Sequence, residues 1–124
     1  LVELILSKNK IVKLDIKSLS NLEVIDLSTN HLNYLDPNLL QCSKLKKVNF
    51  SENNLKELKI FFFANCSEIY VSKNKITNVT FLPDKKDVNE FFLFNKIFKS
   101  KYENLTHIDM HNNLIEKIDI PNIK

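Results

Sequence analysis

The chain has 124 residues, of which 44% are hydrophobic and 27% are charged, and its formal net charge is +3. This length fits one domain, and the hydrophobic fraction is sufficient for a packed core. All 18 basic residues are lysines and glycine is absent, which argues against nucleic-acid sites that use arginine and against glycine-rich phosphate loops. No apolar run of about 18 residues occurs, so no segment of this sequence is predicted to insert into a membrane.

One pattern recurs five times: leucine or cysteine, two spacers, an apolar residue, one spacer, an apolar residue, two spacers, asparagine, one spacer and an aliphatic residue. The copies begin at Leu1, Leu22, Leu45, Cys66 and Leu105. Their asparagines are Asn9, Asn30, Asn53, Asn74 and Asn113. The first four asparagines lie 21, 23 and 21 residues apart, and such a period is typical of a stack of structural repeats.

Each copy predicts one short β-strand, because two apolar residues alternate with outward positions, as Leu4 and Leu6 do in the first copy. The amide side chain of asparagine carries an acceptor and two donors. We therefore expect the five asparagines to form a buried ladder that satisfies the backbone groups of the turns. A second apolar pair, such as Leu58 and Ile60, predicts a return segment in each coil.

These copies, which cover residues 1–82 and 105–120, resemble the leucine-rich-repeat family. The resemblance implies an α/β repeat solenoid, a curved stack with a concave parallel β-sheet and an irregular or short-helical convex side. We expect residues 1–124 to form a single domain of this type. Because the sequence starts inside a repeat and shows no capping unit, we expect it to be a fragment of a longer solenoid.

Residues 83–104 interrupt the period and allow two interpretations. In the first they are a degenerate repeat in which Lys96 replaces the asparagine, but this leaves too few residues before Leu105 for a normal coil. In the second they form one longer helix near residues 87–103, with Asp84 or Asp87 as N-cap and apolar residues at helical spacing. The sequence favours the helix, with its aromatic side chains packed on the convex side of the stack.

The outward positions of the predicted strands form the candidate interaction surface. Its principal residues are Asp26, Lys47, Glu68, Tyr70, His107, Asp109 and His111. The last three alternate on one strand, and imidazole and carboxylate groups are zinc-type ligands. A fourth ligand is not identifiable, so we interpret them as solvated polar residues and predict no metal and no cofactor.

Cys42 and Cys66 occupy apolar positions of the pattern, and free cysteine is among the most buried residue types. Buried thiols are therefore expected. The alternative is a disulfide between the two cysteines, which an oxidising compartment would allow. No histidine is in register with either cysteine, and no other nucleophile stands beside a base. We predict no catalytic residues and no enzyme activity.

Four N-glycosylation sequons occur, at Asn49, Asn65, Asn78 and Asn104. All four are expected at exposed positions where a glycan would not enter the core. This pattern favours an extracellular or cell-surface location. A glycan at Asn49 would stand in the middle of the concave sheet and block that face.

The resemblance is to extracellular insect immune and Toll-type leucine-rich-repeat proteins, whose repeats recognise or hold other proteins. It implies a non-catalytic recognition or scaffold module of a secreted or cell-surface glycoprotein, with a role in innate immunity. The expected partners are other proteins, a dimer partner among them, and not nucleic acids. The alternative is an intracellular scaffold or phosphatase-regulator-type adaptor in the cytoplasm, which the 21-residue spacings and two unpaired cysteines would also suit.

Overall fold

The computed structural model describes residues 2–15, 19–63, 65–81 and 104–119. These ranges contain eight strands of three residues each. In chain order they are β1 (Glu3–Ile5), β2 (Val24–Asp26), β3 (Lys47–Asn49), β4 (Glu57–Lys59), β5 (Glu68–Tyr70), β6 (Asn78–Thr80), β7 (His107–Asp109) and β8 (Lys117–Asp119). The helix predicted near residues 87–103, and its alternative as a degenerate repeat, lie outside the described residues.

The first sheet is parallel and has the order β1-β2-β3-β5-β7. Each coil contributes one strand to it, and the strands pair without offset. The central residues of the five strands consequently form one inward column, which consists of Leu4, Ile25, Val48, Ile69 and Ile108. Parallel strands from successive coils are consistent with the predicted repeat solenoid.

A second parallel sheet lies on the return segments and has the order β4-β6-β8. Its central residues Leu58 and Val79 are both fully buried and pair with each other. The predicted irregular or short-helical convex side thus also contains a three-stranded sheet, which was not predicted. The return segments carry only one inward residue per strand, and they become strands through pairing with the next coil, which is a tertiary effect.

Two 3₁₀ helices complete the return segments of the second and third coils. The first, Pro37–Gln41, begins with a proline and is capped by Asp36, whose side chain accepts a hydrogen bond from the backbone N–H of Asn38. The second, Ile60–Phe63, is entirely buried and contacts the first. No helix in the described ranges is long and apolar enough to cross a membrane.

The core fills the space between the two sheets. Phenylalanine supplies its largest side chains, and the ring centroids of Phe50 and Phe63 lie 5.6 Å apart. Phe61 and Phe62 meet edge to face at 5.2 Å, an arrangement that aromatic pairs favour. Four buried phenylalanines of the third coil thus lie in the core behind the centre of the first sheet.

The turn that follows each first-sheet strand contains a residue with left-handed backbone. The φ angles of these residues are between 53° and 57°, and the residues are Lys8, Thr29, Glu52, Lys73 and Asn112. Each stands directly before a ladder asparagine, and the left-handed conformation is unfavourable for residues with a Cβ atom. Because the chain has no glycine, this cost is carried at every turn and must be offset by the bonds that the turn makes.

Candidate interaction surface

The outward side chains of the first sheet form three aligned columns. The sheet register places Glu3, Val24, Lys47, Glu68 and His107 in the first column and Ile5, Asp26, Asn49, Tyr70 and Asp109 in the second. Backbone hydrogen bonds between successive turns align a third column of Ser7, Ser28, Ser51, Ser72 and His111. The structure thus brings all seven residues of the predicted surface onto one face, which we call the sheet face.

Tyr70 is the centre of a cluster on the sheet face. Its hydroxyl donates a hydrogen bond to Oε1 of Glu68 at 2.8 Å, and its ring centroid lies 5.2 Å from that of His107. The Nζ atom of Lys47 stands 5.6 Å from the ring centroid on the neighbouring strand. The hydrogen bond to Glu68 raises the pKa of Tyr70, because it favours the protonated phenol. Three side chains therefore hold the tyrosine in place.

Part of this cluster follows from the repeat alignment, because in-register stacking places residues one coil apart next to each other. The repeat alignment pairs Lys47 with Glu68, and Glu68 with His107. Tyr70 is long enough to reach the diagonal positions on both sides. The members of the cluster could thus be identified from the sequence, whereas their arrangement around Tyr70 could not.

Three side chains of the second column fold back onto their own turns. Oδ1 of Asp26 accepts from the backbone N–H of Ser28, and Oδ1 of Asn49 accepts likewise from Ser51, both at 3.0 Å. This local bond is typical of Asp and Asn two residues before a turn. It fixes the orientation of both side chains on the sheet face.

Asp109 repeats this arrangement at the last strand of the sheet. Its Oδ1 accepts a hydrogen bond from the backbone N–H of His111 at 3.2 Å and also contacts Nδ1 of the same imidazole. The hydrogen bond from the His111 side chain holds the pKa of Asp109 below its usual value, with a further contribution from the backbone N–H. His107 stands on the same strand, yet no group of three metal-ligating side chains in the described residues is placed to hold a metal ion.

Behind the sheet face lies the asparagine ladder. Asn53 is 6% exposed, and its Nδ2 donates to backbone oxygens of its own turn and of the preceding coil. Its Oδ1 accepts from the backbone N–H of Leu32 at 2.9 Å. Asn30, Asn74 and Asn113 make the same set of contacts one coil apart. Asn9 bonds only within its own turn, to the oxygens of Leu6 and Ser7, and is exposed.

Both cysteines are buried free thiols. Burial raises the pKa of Cys66 to about 12, and it also raises the pKa of Cys42, where the charge of Asp36 adds to the effect. A thiol with a raised pKa is a poor nucleophile at neutral pH, because the thiolate is the reactive form. The geometry gives neither cysteine a chemical role.

The four sequon asparagines differ in exposure. Asn78 on β6 and Asn104 before β7 are exposed. Asn49 is half-buried in the middle of the sheet face. Asn65, expected on an exposed turn, is also half-buried, and its Nδ2 donates to the backbone oxygen of Ser43 at 3.3 Å. The contact with Ser43 thus covers part of the Asn65 side chain.

A small recess opens beside the core between the first three coils. It has a volume of about 20 Å³ and is lined mainly by apolar side chains, among them Leu14, Leu35 and Leu39. A space of this size holds about one water molecule. This recess offers no room for a substrate or cofactor.

Comparison of the sequence with models of known protein families gives one match. The family model described as Leucine Rich Repeat matches residues 21–43, the stretch that contains β2, Asn30 and the first 3₁₀ helix. The match supports the leucine-rich-repeat family. Leucine-rich repeats generally mediate protein–protein interaction and are typically non-enzymatic. No curated protein matches the chain.

Proposed function

We propose that the chain is a non-catalytic protein-recognition module and that it binds its partner through the sheet face. The observation that carries this proposal is the Tyr70 cluster, in which a half-buried aromatic ring is held by Glu68, Lys47 and His107. Tyrosine is enriched among the residues that dominate binding energy at interfaces. A side chain that is already held loses little conformational freedom on binding.

The scaffold behind the cluster supports the same proposal. The residues between the outward positions, such as Val48 and Ile69, are fully buried and define the core. The outward residues can therefore vary to suit a partner without loss of folding stability. A rigid parallel sheet that presents fixed side chains is suited to recognition of another folded surface or an extended segment.

For the location, we propose a secreted or cell-surface protein, with the resemblance to insect immune and Toll-type proteins as the reason to test a role in innate immunity. Exposure of the sequon residues Asn78 and Asn104 supports this. The alternative is an intracellular scaffold, which is favoured by the two free thiols. A glycosidase mobility shift on protein from the native source distinguishes the two, because only a protein of the secretory pathway carries these glycans.

The binding proposal is tested by site-specific photo-cross-linking. We would replace Val24, an outward residue next to Lys47 in the first column, by p-benzoylphenylalanine, which leaves the Tyr70 cluster intact, and irradiate the protein in extract or secreted medium from its source. A matched control carries the same group at Glu57, an exposed position on the second sheet. We expect one discrete protein adduct from position 24 and none from position 57. No adduct at position 24, or the same adducts at both positions, would refute recognition through the sheet face.

A further inference from the structure

We propose that the partner segment bound by the sheet face is basic, rich in lysine or arginine; this inference rests on the proposed function. The sheet face carries four carboxylates and one ammonium group, and its formal charge is therefore −3 when His107 and His111 are counted as neutral. The five charged residues are Glu3, Asp26, Lys47, Glu68 and Asp109. The chain as a whole has a formal charge of +3, so the sheet face is locally opposite in sign to the protein that presents it.

Within the described residues, the hydrogen bonds of Glu68 and Asp26 do not cancel the charges of these two side chains, whereas Asp109 contacts the imidazole of His111, which forms an ion pair with it when protonated. Glu68 accepts from the hydroxyl of Tyr70, and Asp26 accepts from the hydroxyl and backbone N–H of Ser28. These donors are neutral, so they orient a carboxylate without cancelling its charge. The lysine–carboxylate ion pairs formed by Glu23, Glu52 and Glu57 all lie elsewhere on the protein. The negative potential of the sheet face therefore remains available to a cationic partner.

Asp109 contributes to the same potential at neutral pH. Its pKa is lowered by the hydrogen bond from His111, and a carboxyl group with a lowered pKa stays ionised well below neutrality. The register places Asp109 beside Tyr70 on the adjacent strand. Glu68 lies two residues before Tyr70 on the same strand and accepts the hydrogen bond of its hydroxyl. Tyr70 therefore has one carboxylate neighbour on its own strand and one on the adjacent strand.

The ring itself already interacts with a cation. Nζ of Lys47 lies 5.6 Å from the centroid of Tyr70, within the range in which an ammonium group is attracted to the face of an aromatic ring. A lysine or arginine side chain of the partner would find the same ring together with the carboxylates of Glu68 and Asp109. An aromatic ring beside carboxylates suits a cationic side chain with an aliphatic stem. The stem packs on the ring, and the charged group forms an ion pair with a carboxylate.

The experiment uses fluorescein-labelled octalysine and octaglutamate peptides and follows fluorescence anisotropy at about 0.15 M salt, where long-range attraction is largely screened. We expect octalysine to bind at least about tenfold more tightly than octaglutamate, although the protein is cationic overall. The double variant Glu68→Gln and Asp109→Asn should weaken octalysine binding about tenfold or more. Both amides keep the acceptor oxygen that bonds Tyr70 or His111, so the fold is retained.

The matched control neutralises two exposed carboxylates away from the sheet face, by Glu57→Gln and Glu116→Gln. These substitutions should leave octalysine binding within about twofold. An equal loss in both double variants, or no preference for octalysine over octaglutamate, would overturn the inference.

The cross-linked adduct from position 24 separates this inference from the proposed function. Mass spectrometry of the adduct identifies the partner segment that lies against the sheet face. A basic segment supports both proposals. A neutral or acidic segment leaves recognition through the sheet face standing and overturns the charge inference. If position 24 gives no adduct, the proposed function itself fails.

Discussion

Replacement of the ladder residue Asn53 by alanine should lower the free energy of unfolding by about 1–3 kcal/mol. Asn53 makes four hydrogen bonds, but only one of the four partner groups has no other hydrogen-bond partner. The backbone N–H of Leu32 is buried and donates to Oδ1 of Asn53 at 2.9 Å. Loss of this acceptor leaves one buried N–H group unpaired, which costs about 1–3 kcal/mol.

The three carbonyl oxygens that accept from Asn53 each keep another donor after the substitution. The oxygen of Leu27 still accepts from Asn30 at 3.0 Å and that of Phe50 from Asn74 at 2.9 Å. The oxygen of Ser51 still accepts from the backbone N–H of Thr29 at 2.9 Å. The expected cost is therefore that of a single orphaned group and not the sum over four bonds.

Asn53→Asp tests the same geometry from the opposite direction. An aspartate keeps the acceptor for the N–H of Leu32, but its second oxygen replaces Nδ2 and faces the carbonyl oxygens that Nδ2 satisfied. At pH 7 this variant should be less stable than Asn53→Ala, because a buried charge would point at acceptors. Protonation at acidic pH should recover part of the loss.

The assay is urea unfolding followed by circular dichroism, with amide hydrogen exchange at Leu32 as the local readout. The control is Asn54→Ala, since Asn54 bonds the oxygen of Leu32 through its backbone N–H, which alanine retains. This control should stay within about 0.5 kcal/mol of the wild type. A loss below about 0.5 kcal/mol for Asn53→Ala, or an aspartate variant more stable than the alanine variant at pH 7, would refute the ladder argument.

Three further predictions follow from the turns, the core thiol and the sheet face. Thr29→Asn should stabilise the protein by about 0.5 kcal/mol in urea unfolding, because relief of a β-branched residue at φ 55°, a conformation that Asn112 already adopts, outweighs loss of the exposed hydrogen bond from the Thr29 hydroxyl to Oε2 of Glu52; a loss of stability would contradict this. Stability should fall as pH rises from about 9 towards 12, since burial raises the pKa of Cys66 to about 12 while an unfolded thiol ionises near 9.0. Stability measured against pH should fall less steeply in Cys66→Ala, and an unchanged slope would exclude the thiol as a source. His111→Ala should raise the pKa of Asp109 towards its ordinary value, as read from carboxyl ¹³C chemical shifts, and an unchanged titration would show that the imidazole does not stabilise the carboxylate.

The first sheet could be predicted from the sequence because its pattern is dictated by burial. Leu4, Ile25 and Val48 recur at the spacing of one coil, and alternation makes their faces unambiguous. Once the coils are aligned, the outward columns follow without further information. The members of the sheet face were therefore identifiable before the structure, while the contacts around Tyr70 required the diagonal geometry between strands.

The second sheet and the left-handed turns carried no comparable signal. A strand such as β4 has one buried residue between two outward ones, and this pattern suits an irregular return segment equally well. Positive φ is usually indicated by glycine or asparagine, whereas Lys8, Thr29 and Glu52 are residue types that give no such signal. The bonds of the adjacent ladder asparagines impose the conformation, so tertiary structure overrides local preference.

Asn49 is the residue at which the proposals on location and on binding meet. The register places it between Asp26 and Tyr70 in the second column, and its Oδ1 is held by the backbone N–H of Ser51. A glycan on its Nδ2 would extend over the carboxylates and the tyrosine ring that the basic partner must reach.

We therefore expect glycopeptide mass spectrometry of the protein purified from its native source to find glycans at Asn78 and Asn104 and an unmodified Asn49. A glycan at Asn49 would leave the extracellular location in place and rule out the sheet face as the binding surface, because a sugar chain excludes a protein partner there. Absence of glycans from all sequons would instead favour the intracellular scaffold, and recognition through Tyr70 would remain available to it. The glycosylation state of Asn49 thus tests binding through the sheet face, while the glycans at Asn78 and Asn104 test the extracellular location.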